Sequence, residues 1–312
     1  MRFIIGLVLG GYFVGAASLL VKLFSKKYRG RLEALNASTF ALSLLVIGGL
    51  GSTLSNISGH LLLWVGAVPP IVIAVIMMLV LVNDRKIIGY SEHKEPDVAF
   101  EQKVSVTKVK ASHIFDKKYR KLTINCIVIS GLNLSAYQFF AAYLTTYLKT
   151  SGVVPLPIIG IIIMAQGIGS LIGGLFWGVI ADKFGRKYPL IGFILAAVFV
   201  LLFFIVPPTI TIFVVGAYGF TVSCSYTWGI YFAELYPAHL RSMGAALYNG
   251  GRIISLFTPY IIIFIIDDAG LRTSMMAALL ILVLVAFLWS RLPETLDKDT
   301  IIIQNRSYAL TA

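Results

Sequence analysis

Charged residues are scarce in this chain: 13% of 312 residues, against 58% hydrophobic ones. A soluble globular domain carries about 25% charged residues, so that class is excluded. Acid is the scarcer sign, with 14 Asp and Glu against 26 Lys and Arg. Such an excess of base would suit nucleic acid or an anionic membrane surface. Here the bases lie between apolar runs, so they read as a membrane orientation signal, and no nucleic-acid partner is expected. Cysteine is nearly missing: Cys126 and Cys224 both fall inside apolar runs, with no disulfide framework and no zinc spacing. There is no Gly-Lys-Ser/Thr phosphate loop, no catalytic Ser/His/Asp set and no metal cluster, which argues against an enzyme or an ATP-driven pump. No cofactor and no metal are expected.

What the chain has instead is apolar runs long enough to cross a bilayer, at about 20 residues per crossing. They lie at 3–21, 38–56, 61–82, 124–148, 156–181, 189–206, 209–232, 243–266 and 272–290. The run at 3–21 could pass for a signal peptide, with Ala16-Ala17-Ser18 as a cleavage region. Its charges run the wrong way for that: Arg2 stands alone in front, while Lys22, Lys26, Lys27, Arg29 and Arg31 follow. The fold class expected is therefore an all-α membrane protein, a helical bundle of about nine transmembrane helices.

Segments 22–37, 83–123, 182–188, 233–242 and 291–312 carry 5, 10, 3, 1 and 3 Lys plus Arg. The opposite side has only Arg2, Lys149 and Arg272. Basic connections stay cytoplasmic, which puts Met1 outside and the C-terminus inside a cell membrane. The domain organisation read from this is a partial N-terminal bundle of three helices over 1–82 and a cytoplasmic linker over 83–123. A six-helix bundle over 124–292 and a cytoplasmic tail over 293–312 complete it. The linker end, Phe115-Asp116-Lys117-Lys118-Tyr119-Arg120-Lys121, could also lie on anionic lipid headgroups.

Between two of the runs stands Gly178-Val179-Ile180-Ala181-Asp182-Lys183-Phe184-Gly185-Arg186-Lys187. Gly178 would let a neighbouring helix approach closely and Gly185 would permit a tight reversal. Asp182 is an acid at a membrane helix end, where it is costly unless paired. The pattern resembles the G-x-x-x-D-[RK]-x-G-[RK]-[RK] loop of the major facilitator superfamily of secondary transporters. Glu234-Leu235-Tyr236-Pro237-Ala238-His239-Leu240-Arg241-Ser242-Met243-Gly244 resembles the E-[LF]-[YF]-P-[TA]-x-x-R-x-x-G loop of its sugar, metabolite and organic-ion branches. Pro293-Glu294-Thr295 resembles the P-E-[ST] signature closing their second half.

The resemblance implies that Asp182, Arg186, Glu234, Arg241 and Glu294 form a cytoplasmic ion-pair network that opens and closes in an alternating-access cycle. The alternative is a set of static surface pairs. An internal echo pairs Arg29 with Arg241, 212 residues apart. On that spacing the first-half copy of the Asp182 loop falls ahead of Met1. The second half is then complete, while the first is truncated by three of an expected twelve helices.

The solute-binding candidates follow from polar groups inside apolar runs. Arg252 lies about 15 Å along the 243–266 helix at 1.5 Å per residue, after Tyr248-Asn249-Gly250-Gly251. A charge there is a functional candidate by default, and the resemblance implies an anionic solute. The alternative is that Arg252 snorkels to the interface or pairs with a gate acid. Asn249, Tyr137, Gln138, Gln166 and Trp228 are the other candidates, with interhelical hydrogen bonding or an interfacial belt as the alternative for each. The function implied is secondary active or facilitative transport of a small organic solute, with a proton as candidate coupling ion. The alternative is a non-transporting remnant or membrane sensor of the same fold.

Overall fold

The computed structural model describes residues 35–53 and 111–296, except 153, 238 and 239, together with the isolated positions 68, 71, 72 and 75. The predicted helix 3–21 and nearly all of 61–82 lie outside the described residues, as does most of the linker. No strand occurs among the described residues. The helices are α1 (Thr39–Thr53), α2 (Arg120–Phe139), α3 (Leu144–Ser151), α4 (Leu156–Lys183) and α5 (Ile191–Phe203). They continue as α6 (Thr211–Val222), α7 (Trp228–Glu234), α8 (Arg241–Gly250), α9 (Arg252–Ser255) and α10 (Thr258–Ser290). Leu35–Thr53, Arg120–Ser151, Leu156–Lys183 and Arg241–Ser290 are each long and apolar enough to cross a membrane, and Tyr188–Phe203 is a shorter apolar helix.

Three predicted spans are interrupted where local chemistry competes with the helical ladder. The 124–148 span breaks between α2 and α3, where Phe140 packs edge-on against Phe203 and Tyr218 and the Ala142 N–H donates back to the Tyr137 carbonyl. The 209–232 span divides into α6, a 3₁₀ turn (Ser223–Thr227) and α7. Within that turn the Ser223, Ser225 and Thr227 hydroxyls donate to the carbonyls of Phe220, Val222 and Cys224, which tightens the winding. The spans predicted at 243–266 and 272–290 run through α8, α9 and α10. Their boundary is the non-helical Gly270, with φ 83° and ψ 164°, a conformation glycine alone adopts without strain. The first part of α10 meets α2, where the Ser135 and Thr258 hydroxyls are 2.7 Å apart. The last part meets α5, with the Trp289 and Phe193 rings 5.8 Å apart.

α4 is the central helix, with α1 along one side and α6 along another. Both crossings use small residues, which allow backbones to approach in a bilayer where apolar burial alone does not drive association. A Cβ on Gly160 would stand 2.5 Å from the Ser52 nitrogen of α1 and 2.6 Å from the Gly48 oxygen. On the α6 side, Cβ atoms on Gly169 and Gly173 would overlap the carbonyl oxygens of Gly216 and Phe220. Outward faces stay apolar, with Ile172, Phe176, Leu280 and Phe287 exposed, as a hydrocarbon surround requires. The last residues of the predicted linker belong to the packed body: Ile114 is buried, and its carbonyl accepts the Thr123 hydroxyl at 2.6 Å.

Candidate functional site

The residues at the end of α4 come together with the end of α7 and the segment after α10. Asp182 stands in the last turn of α4, with the buried Gly178 one turn before it. Arg186 follows in the loop and turns back, its Nη1 donating to Asp182 Oδ1 at 2.5 Å. The rest of the guanidinium fork grips Glu234, with Nε donating to Oε2 at 3.0 Å and Nη2 to Oε1 at 2.9 Å. Two parallel bonds of this kind fix both partners in one plane, which an ammonium would not do. Arg186 is 3% exposed, Asp182 7% and Glu234 30%. Burial by itself would pull the guanidinium pKa down; Glu234 and then Asp182 outweigh it and hold it above its ordinary value.

Glu294 joins the network differently from the expected ion pair. It is a carboxylate held by backbone amides: Oε1 accepts the N–H groups of Arg186 at 2.8 Å, Thr295 at 3.0 Å and Leu296 at 3.1 Å. Oε2 accepts that of Lys187 at 3.1 Å. Thr295 then donates its hydroxyl to Glu234 Oε2 at 2.8 Å, so one acid serves both the fork and the tail. Lys187 Nζ donates to the Ser290 carbonyl and Tyr231 OH to that of Pro293, each at 2.7 Å. Sequence reasoning misses Thr295, Tyr231 and Lys187 as members of the network. Only the Pro-Glu-Thr order points at Thr295, because hydroxyl and carbonyl partners carry no local signature. Arg241 opens α8, after the loop that leaves Glu234.

Gly185 has φ 134°, and a Cβ there would stand 2.9 Å from Glu294 Oε2. Gly185→Ala is expected to cost about 1–3 kcal/mol in backbone strain and to displace Glu294 from its amide cradle. Thermal unfolding of the full chain in detergent checks this, with Phe184→Ala as the control at the exposed neighbouring position. Equal melting of the two variants would refute it.

The solute-binding candidates separate into a core group and a polar group. Trp228 is fully buried, stacked on Phe232 at 5.5 Å and edge-on to Trp289 at 5.1 Å, so it is a packing residue of the aromatic core. Gln166 is buried where α4 crosses α6 at Gly219. Tyr137 is half-buried, its ring 5.9 Å from Phe40 of α1, and Gln138 Oε1 is buried with no hydrogen-bond partner among the described residues. The Tyr218 hydroxyl is buried and unpartnered in the same sense. Tyr226 of the 3₁₀ turn lies near Tyr137 of α2, Tyr218 of α6 and Tyr248 of α8, and Tyr218 also lies near Tyr137. This convergence is invisible in sequence order.

Arg252 is exposed at the start of α9, and its Nε donates to Asn249 Oδ1 at 3.2 Å. The 243–266 helix expected around it is interrupted at Gly251. There a Cβ on Gly251 would stand 2.5 Å from the Ser130 carbonyl carbon of α2, so only glycine fits the crossing.

The chain matches the Major Facilitator Superfamily over residues 1–252 and again over 123–304. It is also 27% identical, over 179 residues, to the inner membrane metabolite transport protein YdjE of Escherichia coli (strain K12). That similarity takes in 55% of this chain and 38% of the relative, so the chain spans about two fifths of the length of the curated relative it matches. With family matches across nearly all of its length and, among the described residues, four helices long and apolar enough to cross a membrane, this multi-pass membrane chain belongs to the major facilitator superfamily.

Proposed function

We propose that this protein is a secondary or facilitative transporter of a small organic solute, working by alternating access, with the Arg186 network as the latch on its cytoplasmic face. The observation that carries the reading is the fork of Arg186 between Asp182 and Glu234, with Glu294 on the backbone N–H of the same residue. One residue thereby joins the end of α4, the end of α7 and the segment beyond α10. An alternating-access cycle needs helix ends that hold one another in one state and part in the other, and a bundle of charge-assisted bonds is such a two-state element. A static role would leave that network without a reason to be concentrated at the ends of three separate helices.

The exposed Arg252, paired with Asn249, supports an organic anion as the solute, oriented further by Tyr137 and Gln138. Gln166 and Trp228 support the walls of that region. Acids in the described helices are Asp182, Glu234, Asp267 and Asp268, all at helix ends or beside the Gly270 break. A coupling proton therefore has no carboxylate at mid-membrane among the described residues, which favours facilitated movement or a coupling site elsewhere in the chain.

Uptake of a panel of small organic anions and neutral metabolites into proteoliposomes tests the reading. Anion uptake is expected to fall to about a tenth in Arg252→Ala, with partial return in Arg252→Lys, as removal of one charge-assisted bond implies. Arg241→Ala is expected to slow it. Uptake equal to the parent in both variants overturns the site assignment, and no uptake of any solute by the parent favours the non-transporting alternative.

A further inference from the structure

The start of α2 carries a charged and aromatic surface that the transport reading does not use. Lys117, Lys118, Arg120 and Lys121 are all exposed, against the single acid Asp116. Beside them Phe115 is 50% exposed and Ile124 is 46% exposed, although each lies next to well-buried neighbours. Arg120 and Lys121 are four and three residues from Ile124, so bases and an apolar side chain share one helix face. Exposed bases flanked by exposed large apolar groups at the end of a membrane-crossing helix match the layered chemistry of a bilayer interface, with phosphates above and acyl chains below.

The surface is also rigidly built. The Thr123 hydroxyl bonds the Ile114 carbonyl at 2.6 Å and stands 2.8 Å from Tyr236 OH. Lys118 Nζ lies 5.3 Å over the Tyr119 ring, and that ring is 5.8 Å from Tyr236. The 3₁₀ turn (Ala111–Phe115), the first turn of α2 and the loop after Glu234 are thus tied together, which holds the backbone that carries the bases.

We propose that Lys117, Lys118, Arg120 and Lys121, with Phe115 and Ile124, form a docking surface for the headgroups of anionic phospholipids. Four bases against one acid select a negative headgroup over a zwitterionic one, and Phe115 with Ile124 sets the depth. The proposal requires the chain to sit in a bilayer and is independent of whether it transports a solute.

The test uses the full chain carrying Phe115→Trp in vesicles of phosphatidylcholine, with or without phosphatidylglycerol, and the signal of the native tryptophans is subtracted using the parent chain. Brominated phosphatidylglycerol is expected to quench the added tryptophan about two- to threefold more than brominated phosphatidylcholine at equal mole fraction. High salt is expected to remove that preference without any substitution. The variant Lys117→Gln/Lys118→Gln/Arg120→Gln/Lys121→Gln is expected to lose it as well. Equal quenching by the two lipids overturns the proposal, as does a preference that survives both salt and the four substitutions. Quenching by neither places the patch against water or another protein and overturns it too.

Discussion

Arg186→Ala is expected to destabilise the full chain by about 3–5 kcal/mol, because it leaves a buried carboxylate without its counter-charge. Asp182 bears most of that cost, being 7% exposed, whereas Glu234 is 30% exposed and regains some solvation. The backbone N–H of residue 186 survives the substitution, so the amide cradle of Glu294 stays in place. Arg186→Lys keeps a charge but cannot span both acids, and an intermediate loss is expected. Denaturant unfolding in detergent reads these differences, and a double-mutant cycle with Glu234→Gln isolates the fork. A loss below about 1 kcal/mol in Arg186→Ala would mean that the network behaves like ordinary surface pairs. In that case its service as a latch would fall with it.

Gly160→Leu is expected to drive α1 away from α4. The Cβ alone would stand 2.5 Å from the Ser52 nitrogen and 2.6 Å from the Gly48 oxygen, and backbone atoms cannot rotate aside as a side chain can. The cost is about 3 kcal/mol or more, beyond the usual range for adding methylenes to a packed core. The consequence is topological as well as energetic, since α1 belongs to the first part of the chain and α4 to the second. A protease site placed in the 83–110 stretch of the full chain allows the two parts to be cut and one to be captured by a C-terminal tag. The parent should retain its N-terminal fragment in mild detergent, and Gly160→Leu should lose it. Retention in both would mean that the α1–α4 crossing does not hold the parts together.

Much of the Arg186 network is legible without the fold. Asp182, Gly185, Arg186, Glu234 and Glu294 occur in three short segments that each end an apolar run, and charge at the end of a membrane helix has few places to go. The family resemblance implies their meeting, but not the manner of it. The resemblance implies an ion pair for Glu294, and the structure satisfies its carboxylate with four backbone N–H groups. Backbone donors are present at every residue other than proline, so no sequence pattern reveals which ones converge.

The sequence by itself determined the class of protein, a helical multi-pass membrane chain, and the apolar runs that hold its described membrane helices. These are legible because a bilayer imposes length and apolarity on each segment separately. Tertiary structure alone decided which faces meet: α4 between α1 and α6, Trp228 in the aromatic core, four tyrosines gathered from four elements, and breaks at Phe140 and Gly251. In a soluble helix the polar stripe tells inside from outside. Here lipid and protein interior are both apolar, so the two faces of a helix look alike in sequence, and only the close approach of glycines fixes which is turned inward.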